Sequence, residues 1–298
     1  MESESRRIHR PESGRQPAAL PPGLYFVSTP IGAARDITLR ALDILATADV
    51  LAAEDTRTLR HLMEIHGIDL QGRQVVAYHD HNGEQARPRL LRALSEGQSV
   101  AYASEAGTPL VADPGYQLGR AAIAEGFAVH AAPGASAVLA ALTIGGLPTD
   151  RFYFAGFPPA QAGARRKYLA EAAVVPATLV FYESPKRIGR FLEELAEIMG
   201  PDREAAVCRE LTKRFEEVLR GSLADLAERV RERPLKGEIV VLVDRPGAQV
   251  AAPGAVEDAL RDALQEMSKK DAVSHVAEML NLPRRQVYQA ALALETPE

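Results

Sequence analysis

Residues 102–115 read YASEAGTPLVADPG, and the fold turns on how that stretch divides. Ser99 to Ser104 carries small and β-branched residues in the manner of a buried strand. The pattern breaks at Glu105-Ala106-Gly107-Thr108-Pro109 and again at Asp113-Pro114-Gly115. Two Gly and two Pro within nine residues exclude a helix or a continued strand there. A strand that opens into such a loop before a helix leaves main-chain N–H and C=O groups free at the sheet's carboxyl edge, where ligands of α/β sheets sit. Glu105 puts a carboxylate in the loop, and Gly107 lets the backbone come close to a bound molecule. Taken alone, the loop fits an ordinary β–α turn equally well.

The flanking chain repeats the same design. Leu24–Ser28 reads as a strand ending in Thr29-Pro30-Ile31-Gly32, and Asp36 is placed to cap a helix from about Ile37 to Ala46. Val50–Ala53 ends at Glu54-Asp55-Thr56-Arg57, with a helix from there to about His66. Val75–Tyr78 ends in His79-Asp80-His81-Asn82, with a helix to about Ser95. Tyr116–Ala124 is a helix, and Phe127–Ala132 is a strand running into Pro133-Gly134-Ala135-Ser136. Strands alternating with helices predict right-handed crossovers and a mostly parallel sheet, with these loops along one edge.

A second α/β unit follows a helix at 135–144 and the Gly145-Gly146-Leu147-Pro148 link. Its strands read as Arg151–Ala155, Thr178–Tyr182, Ala205–Arg209, Glu217–Arg220 and Glu238–Val243. Hairpin-like and crossover spacings alternate, so this sheet is expected to be mixed. Pro185 fits the first turn of a helix running to Met199, and Arg165-Arg166-Lys167 a basic helix start. The expected organisation is a polar tail at 1–20, an N-terminal α/β domain at 21–133, a C-terminal α/β domain at 134–244, a Pro/Gly linker at 245–255 and a helical module at 256–298. In that module Ser268 and Asp271 mark a capped helix, and Asn281-Leu282-Pro283 turns it into a second. Lys269, Lys270, Arg284 and Arg285 suit nucleic acid, and a solvated hairpin packed on the body suits them as well.

Composition narrows the function. With 46% hydrophobic and 25% charged residues the chain is globular, and at 298 residues it is long enough for two domains. It has no apolar stretch of about 20 residues to span a membrane, and residues 1–20 lack the apolar core of a signal peptide. Its one cysteine, Cys208, excludes an intrachain disulfide and suits a buried thiol in the reducing cytoplasm. A net charge of −5 argues against non-specific coating of nucleic acid but permits a local basic patch. His79, Asp80 and His81 supply at most two histidines on one face, with no third ligand at metal spacing, so no metal site is expected. G-x-G-x-x-G, the P-loop and the G-x-S-x-G elbow are all absent. What remains is a pocket lined by Pro30 and Gly32, by Glu105, Gly107 and Thr108, and by Gly134, Ala135 and Ser136.

Motifs across both units carry a resemblance. TPIG at 29–32, AEDTR at 53–57, HDHN at 79–82, AGTPL-x-x-DPGY at 106–116, PG-x-x-A at 133–137, GLP at 146–148, FYESPKR at 181–187 and RELTK-x-x-E at 209–216 closely resemble the bacterial small-subunit ribosomal RNA cytidine 2′-O-methyltransferases, within the tetrapyrrole methylase superfamily. The resemblance spans residues 23–243. It implies two α/β domains with S-adenosyl-L-methionine (SAM) in the cleft between them, a homodimer, and a decoding-centre cytidine of 16S ribosomal RNA in the small subunit as acceptor. Carried over residue by residue, the cofactor site falls on Pro30, Gly32, the loop Ser104, Glu105, Ala106, Gly107 and Thr108, Ala135, Ser136, Tyr182 and Gly237. Ala33, Glu105 and Ala135 depart from the family's usual Asn, Asp and Cys.

Methyl transfer to a ribose hydroxyl is an in-line displacement, in which positioning supplies roughly 7–11 kcal/mol and a general base a factor of about 10²–10⁴. The candidate groups around the hydroxyl are Glu183, Glu210 and Lys213, with Glu183 and Glu210 expected to end neighbouring strands. A lysine base needs a lowered pKa, and each of the three also fits a structural salt bridge. Arg57, Arg151, Arg165, Arg166, Lys186, Arg187 and Lys213 are the candidates to hold RNA phosphates. A tetrapyrrole methylase would need an aromatic-walled trough, against 5% aromatics and no Trp. A non-catalytic assembly factor would bind RNA without transferring methyl.

Overall fold

The computed structural model describes residues 19–79, 81–246, 255–280, 282 and 284–294. Residues 1–18 of the tail expected at 1–20, Asp80, most of the linker expected at 245–255, and Asn281 and Pro283 of the expected turn lie outside them, while Leu20 packs against the core of the first unit.

Short, small-residue strands build the first sheet: β1 (Gly23–Val27), β2 (Val50–Ala53), β3 (Val75–Ala77), β4 (Ser99–Ala103) and β5 (Val129–Ala132). Their order is β3-β2-β4-β1-β5 and every pairing is parallel. Every residue of β1 and β4 is buried, as central strands covered on both faces require. One face packs under α1 (Leu39–Thr47) and α2 (Thr56–Ile65), through Ile44, Leu45, Leu59 and Met63. The other packs under α3 (Gly83–Ser95) and α4 (Tyr116–Ala124), through Leu90, Leu94 and Leu118 around Tyr102. Thr38 rather than Asp36 caps α1: its Oγ1 accepts from Ala41 N at 3.1 Å, while Asp36 N is spent on Ala33 O in the preceding turn. Asp55 caps α2, its carboxylate accepting from Arg57 N at 2.7 Å.

α5 (Ala137–Gly145) leads to a second sheet of β6 (Phe152–Gly156), β7 (Thr178–Glu183), β8 (Glu204–Arg209), β9 (Glu217–Ser222) and β10 (Ile239–Val243). The order β6-β7-β10-β8-β9 mixes one parallel with three antiparallel pairings. Glu183 and Glu210 therefore do not end neighbouring strands, because β10 lies between β7 and β8 and Ile239 faces both Glu183 and Arg209. α6 (Ala162–Ala173), α7 (Ile188–Met199) and α8 (Leu223–Glu232) cover one face of this sheet. Pro185 sits in a turn before α7 rather than in its first turn. The basic triplet 165–167 is inside α6 and not at its start.

The opposite face of the second sheet packs against α5. Val138, Ala141 and Leu142 meet Val180, Ala206, Val240 and Leu242, and Ile31 from the first unit joins the same apolar cluster. Ala33 N donates to Thr212 Oγ1 at 3.0 Å, so the loop after β1 is tied to the loop after β8 across one crevice. Arg220 Nε donates to Gly145 O at 3.0 Å, holding the end of α5 on β9.

Three further helices, α9 (Ala255–Glu266), α10 (Lys269–Met279) and α11 (Arg284–Ala293), share a core of Leu260, Val273, Val276 and Val287. Asp271 N donates to Ser268 Oγ at 3.3 Å, capping α10. None of the described helices is long and apolar enough to cross a membrane.

Candidate active site

Three loops at the carboxyl edge of the first sheet are stitched into one floor. Thr29 and Gly107 exchange both main-chain hydrogen bonds, at 2.9 and 3.0 Å. Ser104 Oγ donates to Gly107 O at 2.7 Å, and Thr29 Oγ1 to Ser104 O at 3.2 Å. Thr108 Oγ1 donates to Ala135 O at 2.9 Å, bringing in the loop after β5. Gly107 holds φ at +82°, and a Cβ there would press on Ile31 Cγ2 at 3.2 Å.

The facing wall comes from the second sheet. Gly237, at φ +88°, precedes β10, and a Cβ there would collide with the Glu210 carboxylate. Glu210 Oε1 accepts from Glu238 N at 3.0 Å, and Lys213 Nζ reaches Glu210 at 3.1 Å and Glu238 at 3.0 Å. Hydrogen bonding from the Glu238 backbone, then from Lys213, holds the Glu210 carboxyl below its ordinary pKa. Burial alone would lower the Lys213 pKa, but hydrogen bonds to Glu238 and Glu210 outweigh it and raise the value. The lowered pKa that a lysine base requires is thus replaced by its opposite. Glu183 is 4% exposed and takes Ser184 N at 2.7 Å and Arg187 Nη2 at 2.9 Å.

Floor and wall enclose a cavity of about 530 Å³. Glu105, Ala106, Gly107, Thr108, Ser136, Tyr182, Glu183 and Gly237 line it, as expected positions brought together from both sheets. Pro30, Gly32, Ser104 and Ala135 stand behind the lining: Ser104 and Ala135 brace Gly107 and Thr108, while Gly32 packs on Lys213 and Thr212. Lys213 supports the wall without lining it, and Glu210 lies behind Gly237.

Sequence reading missed four lining residues that shape the chemistry: Glu54, Val111, Phe157 and Asp113. Asp113 was visible as a turn breaker before Pro114 and within the AGTPL-x-x-DPGY motif, with no role attached to it. Its Oδ2 is buried without a hydrogen-bond partner among the described residues. Burial first, then repulsion from Glu54 and Glu105, pushes its pKa up to about 7. Tyr182, in edge contact with Phe154 and Phe157, is pushed to about 12 by burial and by Asp113. One end of the cavity is therefore acidic, and Ile31, Val111, Leu211, Phe157 and Tyr182 make the rest apolar.

Most of the expected phosphate-binding cations are engaged within the protein. Arg165 is 5% exposed and bidentate on the equally buried Glu194, at 2.5 and 2.8 Å, so it is a core ion pair and not an RNA contact. Arg57 grips Asp55, Arg166 grips Glu197, and Arg187 bridges Glu183 and Pro158 O. Arg151 and Lys186 are exposed. Among the described residues no three His, Cys, Asp or Glu cluster at metal-binding distance.

Residues 23–227 match the model of the tetrapyrrole (corrin/porphyrin) methylases. The chain belongs to that methylase family. Residues 250–295 of this methylase match the model described as RsmI C-terminal HTH domain. Its relatives include ribosomal RNA small subunit methyltransferase I of Mesorhizobium japonicum, 47% identical over 93% of each chain. The protein of the same name from Halalkalibacterium halodurans is 41% identical, over 89% of this chain and 93% of that one. Among solved structures, the methylase shares its fold with uroporphyrin-III C-methyltransferase of Thermus thermophilus complexed with S-adenosyl homocysteine. The TM-score is 0.52 at 22% identity, covering 74% of this chain and 96% of that one.

Proposed function

We propose that this methylase transfers a methyl group from SAM to the 2′-hydroxyl of a decoding-centre cytidine in 16S ribosomal RNA, acting on the small ribosomal subunit in the cytoplasm as a homodimer. The observation that carries the reading is the interdomain cavity, acidic at Glu54 and Glu105 and apolar at Ile31, Val111, Leu211, Phe157 and Tyr182. Carboxylates favour the sulfonium and ammonium charges of the donor, and Tyr182, Phe157 and Leu211 offer an apolar bed for a purine. Gly107 and Gly237, in left-handed backbone, shape the loop after β4 and the turn before β10 where they line this cavity. When bound, SAM supplies an activated methyl on a good leaving group. The relatives named as ribosomal RNA methyltransferases, at 47% and 41% identity, support RNA as the acceptor.

In this reading Pro30, Gly32, Ser104 and Ala135 hold the donor-binding loops from behind. Glu183, Glu210 and Lys213 act as charged positioning groups of the second-sheet wall. The divisions 21–133, 134–244 and 256–298 are the working units, with donor and acceptor meeting between the first two. Tritiated SAM is incubated with small subunits, naked ribosomal RNA and free nucleosides, and the product nucleoside is mapped. Label on a cytidine ribose in subunits is expected. Label on a porphyrinoid precursor alone, or RNA binding without label, overturns the reading.

A further inference from the structure

A second cavity, of about 520 Å³, opens beside the donor cleft. Its lining includes Tyr78, His79, Arg87, Asp113, Tyr116 and Gln117. Among the described residues, Asp113 alone lines both cavities. Two residues of the second cavity's lining each carry a buried polar atom with no partner among the described residues, His79 Nδ1 and Asp113 Oδ2. Native proteins pair such atoms, so two of them on residues around one cavity point to a hydrogen-bonding ligand there. Leu110 and Ala112, in the loop before Asp113, sit at φ +72° and +59°, left-handed backbone that residues with side chains disfavour. Tyr116, 60% exposed, offers a face for base stacking, and Arg87 a phosphate contact.

We propose that the second cavity receives the acceptor nucleotide and that Asp113, between the two cavities, is the general base for its hydroxyl. This rests on the methyl-transfer reading above and names the catalytic group that reading leaves open. The hydroxyl proton passes to the Asp113 carboxylate; the oxygen's freed electron pair bonds the methyl carbon as the carbon–sulfur bond breaks, its electron pair staying on sulfur. Asp113 then releases the proton to solvent. The ionisable groups lining either cavity with Asp113 are Glu54, Glu105, His79, Tyr78, Glu84, Arg87, Tyr116, Tyr182, Glu183 and Glu238. The acidic neighbours Glu54 and Glu105 keep its proton affinity high. A carboxylate that titrates near neutrality is matched to taking up a proton at physiological pH. Glu183, Glu210 and Lys213, by contrast, are each committed to an ion pair.

The test uses the full chain. If the wild type places no label on a ribose, the methyl-transfer reading fails before this inference is reached. If it does, Asp113→Asn is expected to lower kcat at least about 100-fold, to lose the rise of rate with pH through about 7, and to bind SAM within twofold of wild type by calorimetry. His79→Ala is expected to weaken RNA binding at least fivefold with SAM affinity unchanged. Infrared titration of the protein without ligands should show a carboxyl band fading near neutral pH in the wild type and missing in Asp113→Asn, a readout independent of turnover. Retention of kcat within fivefold in Asp113→Asn overturns the inference. So does a tenfold loss of SAM affinity in that variant, which would put Asp113 in the donor site alone, or unchanged RNA affinity in His79→Ala.

Discussion

Asp113 shows how one side chain can be kept against stability. An ordinary carboxyl titrates near 3.8, and here the folded value is about 7. The folded state therefore binds more protons than the unfolded chain between those values, so stability falls as pH rises through that window and is flat outside it. Asp113→Asn should raise the urea midpoint at pH 8 and leave it unchanged below about pH 4. Equal shifts at both pH values would show that the carboxylate is not held out of solvent. Arg165 makes the opposite case. Its guanidinium and Glu194 lie in the core with 2.5 and 2.8 Å contacts, and the pairing, first through Arg165, holds Glu194 below its ordinary pKa. That contribution is present above the unfolded carboxyl pKa and is lost as pH falls through the folded one. Arg165→Ala removes the bidentate partner and leaves the buried Glu194 carboxylate paired with Arg190, at 3.0 Å; about 1–3 kcal/mol should be lost, measured by denaturant unfolding at pH 7. A loss below about 1 kcal/mol would mean that water reaches Glu194.

The loop from Glu210 to Glu216 joins the two sheets, and its backbone records the effort. Glu210 and Thr212 both hold positive φ, +50° and +63°, and for a β-branched residue that is strained. Thr212 Oγ1 accepts from Ala33 N at 3.0 Å, which ties the loop to the first sheet. Thr212→Val keeps the shape and removes the acceptor; about 1 kcal/mol of stability should go, with several-fold weaker SAM binding. Weaker SAM binding without lost stability would place the residue at the ligand instead. Elements of this kind explain what the sequence could and could not reveal. Tyr116–Ala124 and Val50–Ala53 follow from hydrophobic period and turn residues, which are local. Thr38 displaced Asp36 as the α1 cap because both residues suit the role and only the preceding turn decides between them. β10 enters between β7 and β8 because strand order depends on chain-wide packing that no local period encodes. The glycine and threonine positions of the donor cleft were legible since backbone geometry demands them. The raised proton affinity of Asp113 was hidden because it depends on burial and on carboxylates of two loops, Glu54 after β2 and Glu105 after β4.

Taken together, the molecule meets a polyanion with a surplus of negative charge, −5 in all. Most cations near the cleft already neutralise carboxylates within the fold, as Arg187 does for Glu183 and Lys213 for Glu210 and Glu238. Reversing either would damage the wall of the donor cleft as well as any RNA contact, so neither can separate the two functions. Lys186 can. It is exposed, it sits in the turn after β7, and its neighbours Glu183, Ser184 and Pro185 line the donor cleft. A phosphate held there would bring the RNA backbone past the mouth of the cleft without touching the donor. Lys186→Glu should raise the KM for small subunits, reduce the slope of log affinity against log salt by about 1, and leave SAM affinity within twofold. A salt slope equal to wild type, with KM unchanged, would move the RNA track elsewhere, to Arg151 or to the exposed Lys270 and Arg285 of the C-terminal helices. A body of net negative charge should bind RNA weakly outside its proper setting. Selectivity for the assembled subunit would then come from shape and from this small number of contacts, and little from bulk attraction.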